Sequence, residues 1–175
     1  MNFASVLERR NPRNARQTRA IALSLLLAVT LDLVSLGSTV DPLRPDLALL
    51  VVLYWSTRGR APILISAAWG VGLLHDIATL TPLGLNAGLY CLTAWVGVSL
   101  RKRLEAMPIP GELLLVLLVL LAGSMLSWGV GLLLGGRPLA ETHLLSPLVG
   151  TLYWPLVRLL LRNAGIRRRP ASPPD

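Results

Sequence analysis

The chain has 175 residues, 17 of them Lys or Arg and 9 Asp or Glu, for a formal net charge of +8. Hydrophobic residues make up 53% against 15% charged, and the mean hydropathy is +0.60, which leaves too little polar surface for a water-soluble domain of this size. The positive charge does not point to nucleic acid: it sits in short clusters between apolar blocks, where topology signals of membrane proteins belong.

Residues 1–19 are polar and basic, with Arg9, Arg10, Arg13, Arg16 and Arg19. The apolar block 20–40 follows. It is longer than a signal-peptide core and no clean small-x-small site comes after it, so it reads as a retained anchor. Five further blocks run over 46–57, 62–80, 83–100, 113–134 and 144–161. Helices rise 1.5 Å per residue and a hydrocarbon core is about 30 Å thick, so blocks near 20 residues are spans. The block 46–57 rises only about 18 Å, and reads as re-entrant or as a short helix shielded by its neighbours. Pro42, Pro45, Pro62, Pro82, Pro110 and Pro138 mark the joints, where a missing N–H costs least. Residues 163–175 form a basic tail ending in PASPPD, expected to be disordered. The domain reading is therefore a basic segment (1–19), a transmembrane domain (20–162) and a tail (163–175).

The charges decide whether the short block crosses. With six crossings and a cytoplasmic N-terminus, 15 Lys and Arg lie inside and only Arg44 and Arg137 lie outside. If block 46–57 does not cross, the count becomes six inside and 11 outside. The positive-inside rule selects six crossings with both termini cytoplasmic, an all-α polytopic fold. Tyr54 and Trp55 then fall at the cytoplasmic end of the second helix as interfacial anchors, and Trp95 near that end of the fourth.

Helices in lipid pack through small residues spaced by four. Gly123, Ser127, Gly131 and Gly135 form such a face, and Gly84 and Gly88 begin another. Ser24, Ala28 and Asp32 share a helix face, as do Ala68, Gly72 and Asp76, 44 residues on. The strings DLVSL from Asp32 and DIATL from Asp76 also match, which reads as a repeat of two parallel helices. Each aspartate is expected to point into the bundle, because a carboxylate facing the hydrocarbon centre costs at least about 2.5 kcal/mol. Arg44 is the nearby cation, expected close to Asp32, Asp46 or Asp76. His75 precedes Asp76 and so points about 100° away, toward a neighbouring helix or a proton path. There is no His-Glu-x-x-His string and no Cys pair to go with Cys91, so neither an enzyme, a metal site nor another cofactor is expected.

Three strings together resemble the MreD family of rod-shape-determining membrane proteins. They are LRPDLALLVVLYW from Leu43 to Trp55 followed by the basic loop at 58–60, WGVGLLHD from Trp69 to Asp76, and Leu83-Gly84. Members often carry an aromatic residue after Arg-Pro-Asp, where this chain has Leu47. The resemblance implies a non-enzymatic subunit of the bacterial inner membrane, acting in cell-wall elongation. It implies as partners MreC, the MreB filament, RodA and a class B penicillin-binding transpeptidase. It also implies a fold similar to the solute-binding subunits of energy-coupling-factor transporters. Arg44, Pro45, Asp46, Asp32 and Asp76 are then the polar candidates for structural or partner contacts, and the small-residue faces the candidates for helix docking. The basic segments (9–19, 101–103 and 167–169) suit anionic lipid or MreB. The alternative reading is a small-solute-binding subunit of a transporter, which needs several convergent polar groups between helices.

Overall fold

A computed structural model of the chain describes residues 12–34, 45–58, 61–133 and 145–164. They form six helices: α1 (Pro12–Leu33), α2 (Leu47–Ser56), α3 (Ala61–Thr79), α4 (Leu85–Ala106), α5 (Ile109–Leu133) and α6 (Leu145–Ala164). Each corresponds to one apolar block. Helix α1 starts earlier than its block and reaches back into the basic segment. Pro12 suits a first helical position, and the Arg, Gln and Ala that follow are good helix formers. Pro62 and Pro110 likewise lie in the first turns of α3 and α5.

Helix α2 holds the fold together although it is the shortest. Its ten residues rise about 15 Å. Asp46 caps it, the side chain accepting the Leu49 N–H at 2.7 Å. Every residue from Ala48 to Ser56 is buried. An apolar sequence with no polar face needs partners all round, and α2 finds them in α1, α3, α4 and α6. The short helix is thus shielded by its neighbours, one of the two readings its length allowed.

The helices alternate in direction. Gly72 of α3 meets Ala87 of α4, Gly123 of α5 meets Leu89 of α4, and Gly150 of α6 meets Leu120 of α5. With the end of α1 meeting the start of α2, and Asp46 meeting Tyr90 of α4, Asp32, Asp46 and Asp76 gather at one end of the bundle. The other end carries Arg58 after α2, Arg101, Lys102 and Arg103 in α4, and Arg158 and Arg162 in α6. We call them the acidic and the basic end.

The outer helices bury narrow stripes. In α6 the buried positions are Pro147, Gly150, Trp154, Val157 and Leu161, a strict three-four alternation. In α5 they are Glu112, Val116, Leu120 and Gly123. The remaining faces are apolar as well: Leu23 is 68% exposed and Leu152 78%, with Leu27, Leu114, Leu118 and Leu160 similarly open. Exposed leucines on this scale suit lipid or the helices of other proteins, not water. Helix α5 is by length and composition able to cross a membrane, and Leu47–Ser56 and Leu64–Thr79 are shorter apolar helices.

Candidate functional site

The acidic end concentrates the polar side chains, and it is built from two equivalent devices. In the first, Asp32 near the end of α1 accepts the N–H groups of Leu47 (3.2 Å) and Ala48 (2.8 Å), the first turn of α2. In the second, Asp76 near the end of α3 accepts the N–H groups of Gly84 (2.8 Å), Asn86 (2.9 Å) and Ala87 (3.4 Å), the start of α4. An N-terminal turn has backbone donors without helical partners, and a carboxylate also complements its dipole. Each aspartate thus ties the end of one helix to the beginning of the next. The 44-residue spacing in the sequence corresponds to this shared arrangement of helix pairs α1–α2 and α3–α4.

Asp76 is fully buried, and Thr81 Oγ1 adds a fourth bond at 3.0 Å. The loop that makes this geometry carries two left-handed residues. Leu80 (φ 55°) ends α3, with the Thr81 N–H reaching back to the Asp76 carbonyl at 3.1 Å. Gly84 (φ 97°) then turns the chain so that its N–H faces the carboxylate. Glycine adopts that angle without the steric cost a Cβ would bring.

A second cluster lies beside these caps. Tyr90 Oη is 2.9 and 2.8 Å from the two oxygens of Asp46, to which it donates, and His75 Nδ1 is 3.3 Å from the same hydroxyl. The His75 and Tyr90 rings meet edge-on with centroids 5.9 Å apart. His75 therefore turns away from Asp76 toward α4 and joins α3, α4 and the start of α2. Next to Asp46, a cavity of about 230 Å³ opens between α2, α5 and α6, with Ser124, Ser127 and Ser146 on its wall. This end can bind and orient polar groups. Among the described residues no cluster of three or more His, Cys, Asp or Glu could hold a metal ion.

Several sequence-level candidates stand elsewhere than expected. Tyr54 and Trp55 are not interfacial anchors, since each is only 2% exposed. Tyr54 packs edge-on against Trp55 and Trp154 with Arg58 over its ring, and Trp55 Nε1 donates to Ser24 Oγ at 2.9 Å. The reason is the surrounded position of α2, where a ring leaving any face meets protein. Gly84 and Gly88 are not packing residues either. Gly84 is the left-handed cap just described, and a Cβ at Gly88 would meet nothing within 4 Å. On the fifth block only part of the small face is tight. A Cβ at Gly123 would lie 3.2 Å from Leu89 Cδ1, whereas Gly131 faces open space and Ser127 lines the cavity. Gly72 faces α4, since a Cβ there would lie 2.6 Å from the Asn86 carbonyl oxygen, and Ala68 is buried. Pro45 is buried against Gly150. Arg44, Gly135 and His143 lie outside the described residues.

Two residues that pattern reading passed over matter as much. Tyr90 carries a hydroxyl deep in an apolar helix, which requires an acceptor, and Asp46 supplies it. Glu112 stands in the first turn of α5, buried, accepting Trp154 Nε1 at 3.1 Å and pairing with Arg158. An acid at the head of an otherwise apolar block, with an arginine set into the last block, was the available signal.

A family model described as rod shape-determining protein MreD matches residues 15–164. Comparison with curated proteins and with solved structures finds no match. The match covers all six helices apart from the first three residues of α1, and with them both aspartate caps. This chain therefore belongs to the MreD family, membrane-associated proteins with a role in determining rod shape.

Proposed function

We propose that the chain is a multi-pass subunit of the bacterial inner membrane that holds the cell-wall elongation machinery together. In this reading all six helices cross, both termini are cytoplasmic, and the basic end of the bundle faces the cytoplasm. The subunit does no chemistry itself. It offers docking faces to MreC, RodA and the class B transpeptidase within the bilayer, and basic segments to MreB and anionic lipid beneath it. The segments 1–19 and 163–175 flank the membrane domain on the cytoplasmic side.

The observation that carries this reading is the division of polar and apolar groups. Asp32 and Asp76 are engaged by the chain's own backbone, while the outward faces of α1, α5 and α6 are rows of leucine. Such a body is rigid within and sticky without, as an assembly platform in lipid requires. Depleting the protein from a rod-shaped host is expected to turn the cells round, and the tagged protein is expected to bring down MreC. Rods of normal shape after complete loss would overturn the reading.

A second reading, a small-solute-binding subunit like those of energy-coupling-factor transporters, is favoured by the cavity beside Asp46 and its three serines. It predicts that a member of a panel of water-soluble vitamins raises the unfolding temperature of the purified protein. No shift across the panel at millimolar concentration is the result that excludes those ligands.

A further inference from the structure

At the basic end a cavity of about 270 Å³ opens between the first turns of α5 and the last turns of α6. Its walls are of two kinds. Ile109, Leu113 and Leu159 make an apolar side, and Ile109 and Leu159 are also more than half exposed to the surroundings. Arg158 and Arg162, one helical turn apart, make the other side, with Glu112 between them and the interior.

The charges there do not balance. Glu112 brings one carboxylate, already engaged by Arg158 and by the Trp154 N–H. Both Arg158 and Arg162 line the groove, and only Arg158 pairs with Glu112, so the groove keeps a surplus positive charge. Arg162 is exposed and has no hydrogen-bond or ion-pair partner among the described residues. Helix α5 begins at the same place, so its positive dipole end adds to the surplus. Guanidiniums prefer planar oxyanions such as phosphate, which they bind through paired N–H donors. A soluble anion has no use for the apolar wall. A zwitterionic lipid would bring a cationic headgroup toward the arginines. An anionic lipid satisfies both walls.

We propose that this groove is a binding site for one anionic glycerophospholipid. Arg162 and the outer edge of Arg158 take the phosphodiester oxygens, and the acyl chains run along Ile109, Leu113 and Leu159. The inference rests on the membrane reading above but does not depend on which end is cytoplasmic. The bound lipid would act as a wedge of fixed charge at the α5–α6 seam.

The test uses the full-length chain, purified in detergent after exposure to phosphatidylglycerol or phosphatidylcholine and examined by native mass spectrometry. Phosphatidylglycerol is expected to remain bound under conditions that strip phosphatidylcholine. Arg162→Gln, at an exposed position, is expected to keep the parent circular dichroism spectrum and to lower the phosphatidylglycerol-bound fraction at least fivefold. Replacing Arg101, Lys102 and Arg103 together by Gln removes charge from the membrane surface but leaves the groove intact, and is expected to lower that fraction less than Arg162→Gln alone does. Equal retention of the two lipids, or undiminished retention in Arg162→Gln, overturns the proposal. So does displacement of the lipid by millimolar inorganic phosphate, which would mark a plain anion site. A photocrosslinker at Leu159 that captures polypeptide in place of lipid in intact membranes also overturns it, because a protein helix then fills the groove. Failure of the membrane reading looks different: the chain would stay in solution with neither detergent nor lipid.

Discussion

Asp76→Ala is expected to be the most damaging single substitution at the acidic end. The carboxylate accepts three backbone N–H groups and the Thr81 hydroxyl, and it is fully buried. A buried donor left without its acceptor costs about 1–3 kcal/mol. Some donors will find water at the loop, so the sum falls to about 3–5 kcal/mol, at the large end for a single substitution. Asp76→Asn keeps one carbonyl oxygen but turns an NH₂ toward N–H donors, and a loss of about 2 kcal/mol follows. From a half-buried site, Asp32→Ala removes two backbone bonds where Asp76→Ala removes three, and it is expected to cost less. Thermal unfolding in detergent checks the order, with Asp76→Ala lowest, Asp76→Asn between it and the parent, and Asp32→Ala above Asp76→Ala. A protein as stable with Asp76→Ala as without it would remove the capping role assigned here.

The second large effect is expected from one methyl group. A Cβ at Gly72 would stand 2.6 Å from the Asn86 carbonyl oxygen and 2.7 Å from the Ala87 nitrogen. These are backbone atoms and cannot rotate aside. The first turn of α4 is also tied to Asp76, so α3 and α4 can separate only by stretching those bonds. Overpacking of this kind costs about 1–3 kcal/mol. Gly72→Ala is therefore expected to destabilise by the upper part of that range. Combined with Asp76→Ala it should cost less than the two effects added, because the second change has already released α4. Gly88→Ala is the matched control. It adds the same methyl group into open space and improves helix propensity, so stability is expected to hold or to rise by up to about 1 kcal/mol. Equal losses from Gly72→Ala and Gly88→Ala would contradict the assigned helix faces.

How far the sequence could be read differs from place to place. The two aspartates emerged from spacing alone, because a carboxylate on the same helix face as small residues has to point inward. Their role as helix caps did not, since it depends on the path of a loop through Leu80 and Gly84 that brings α4's first turn back onto the carboxylate. The glycines show the same limit. Gly72 and Gly88 both stand four residues from another small residue, yet one touches a backbone and the other faces away. Tyr54 and Trp55 lie at the end of an apolar block, which is where interfacial rings belong, and only the ring of helices around α2 places them inside.

Six helical blocks, their boundaries to within a few residues at most ends, and the gathering of basic residues at one end are already written in the order of residues along the chain. These follow from composition and length, because backbone groups in an apolar run are satisfied by forming helix. Which face of each helix is buried depends on contacts between helices. In a chain whose leucines suit lipid and protein interior equally, hydrophobicity does not separate the two. That choice was left to the few contacts that do discriminate: a backbone-to-backbone approach at Gly72, and carboxylates at Asp32, Asp46 and Asp76 that must meet N–H or O–H donors.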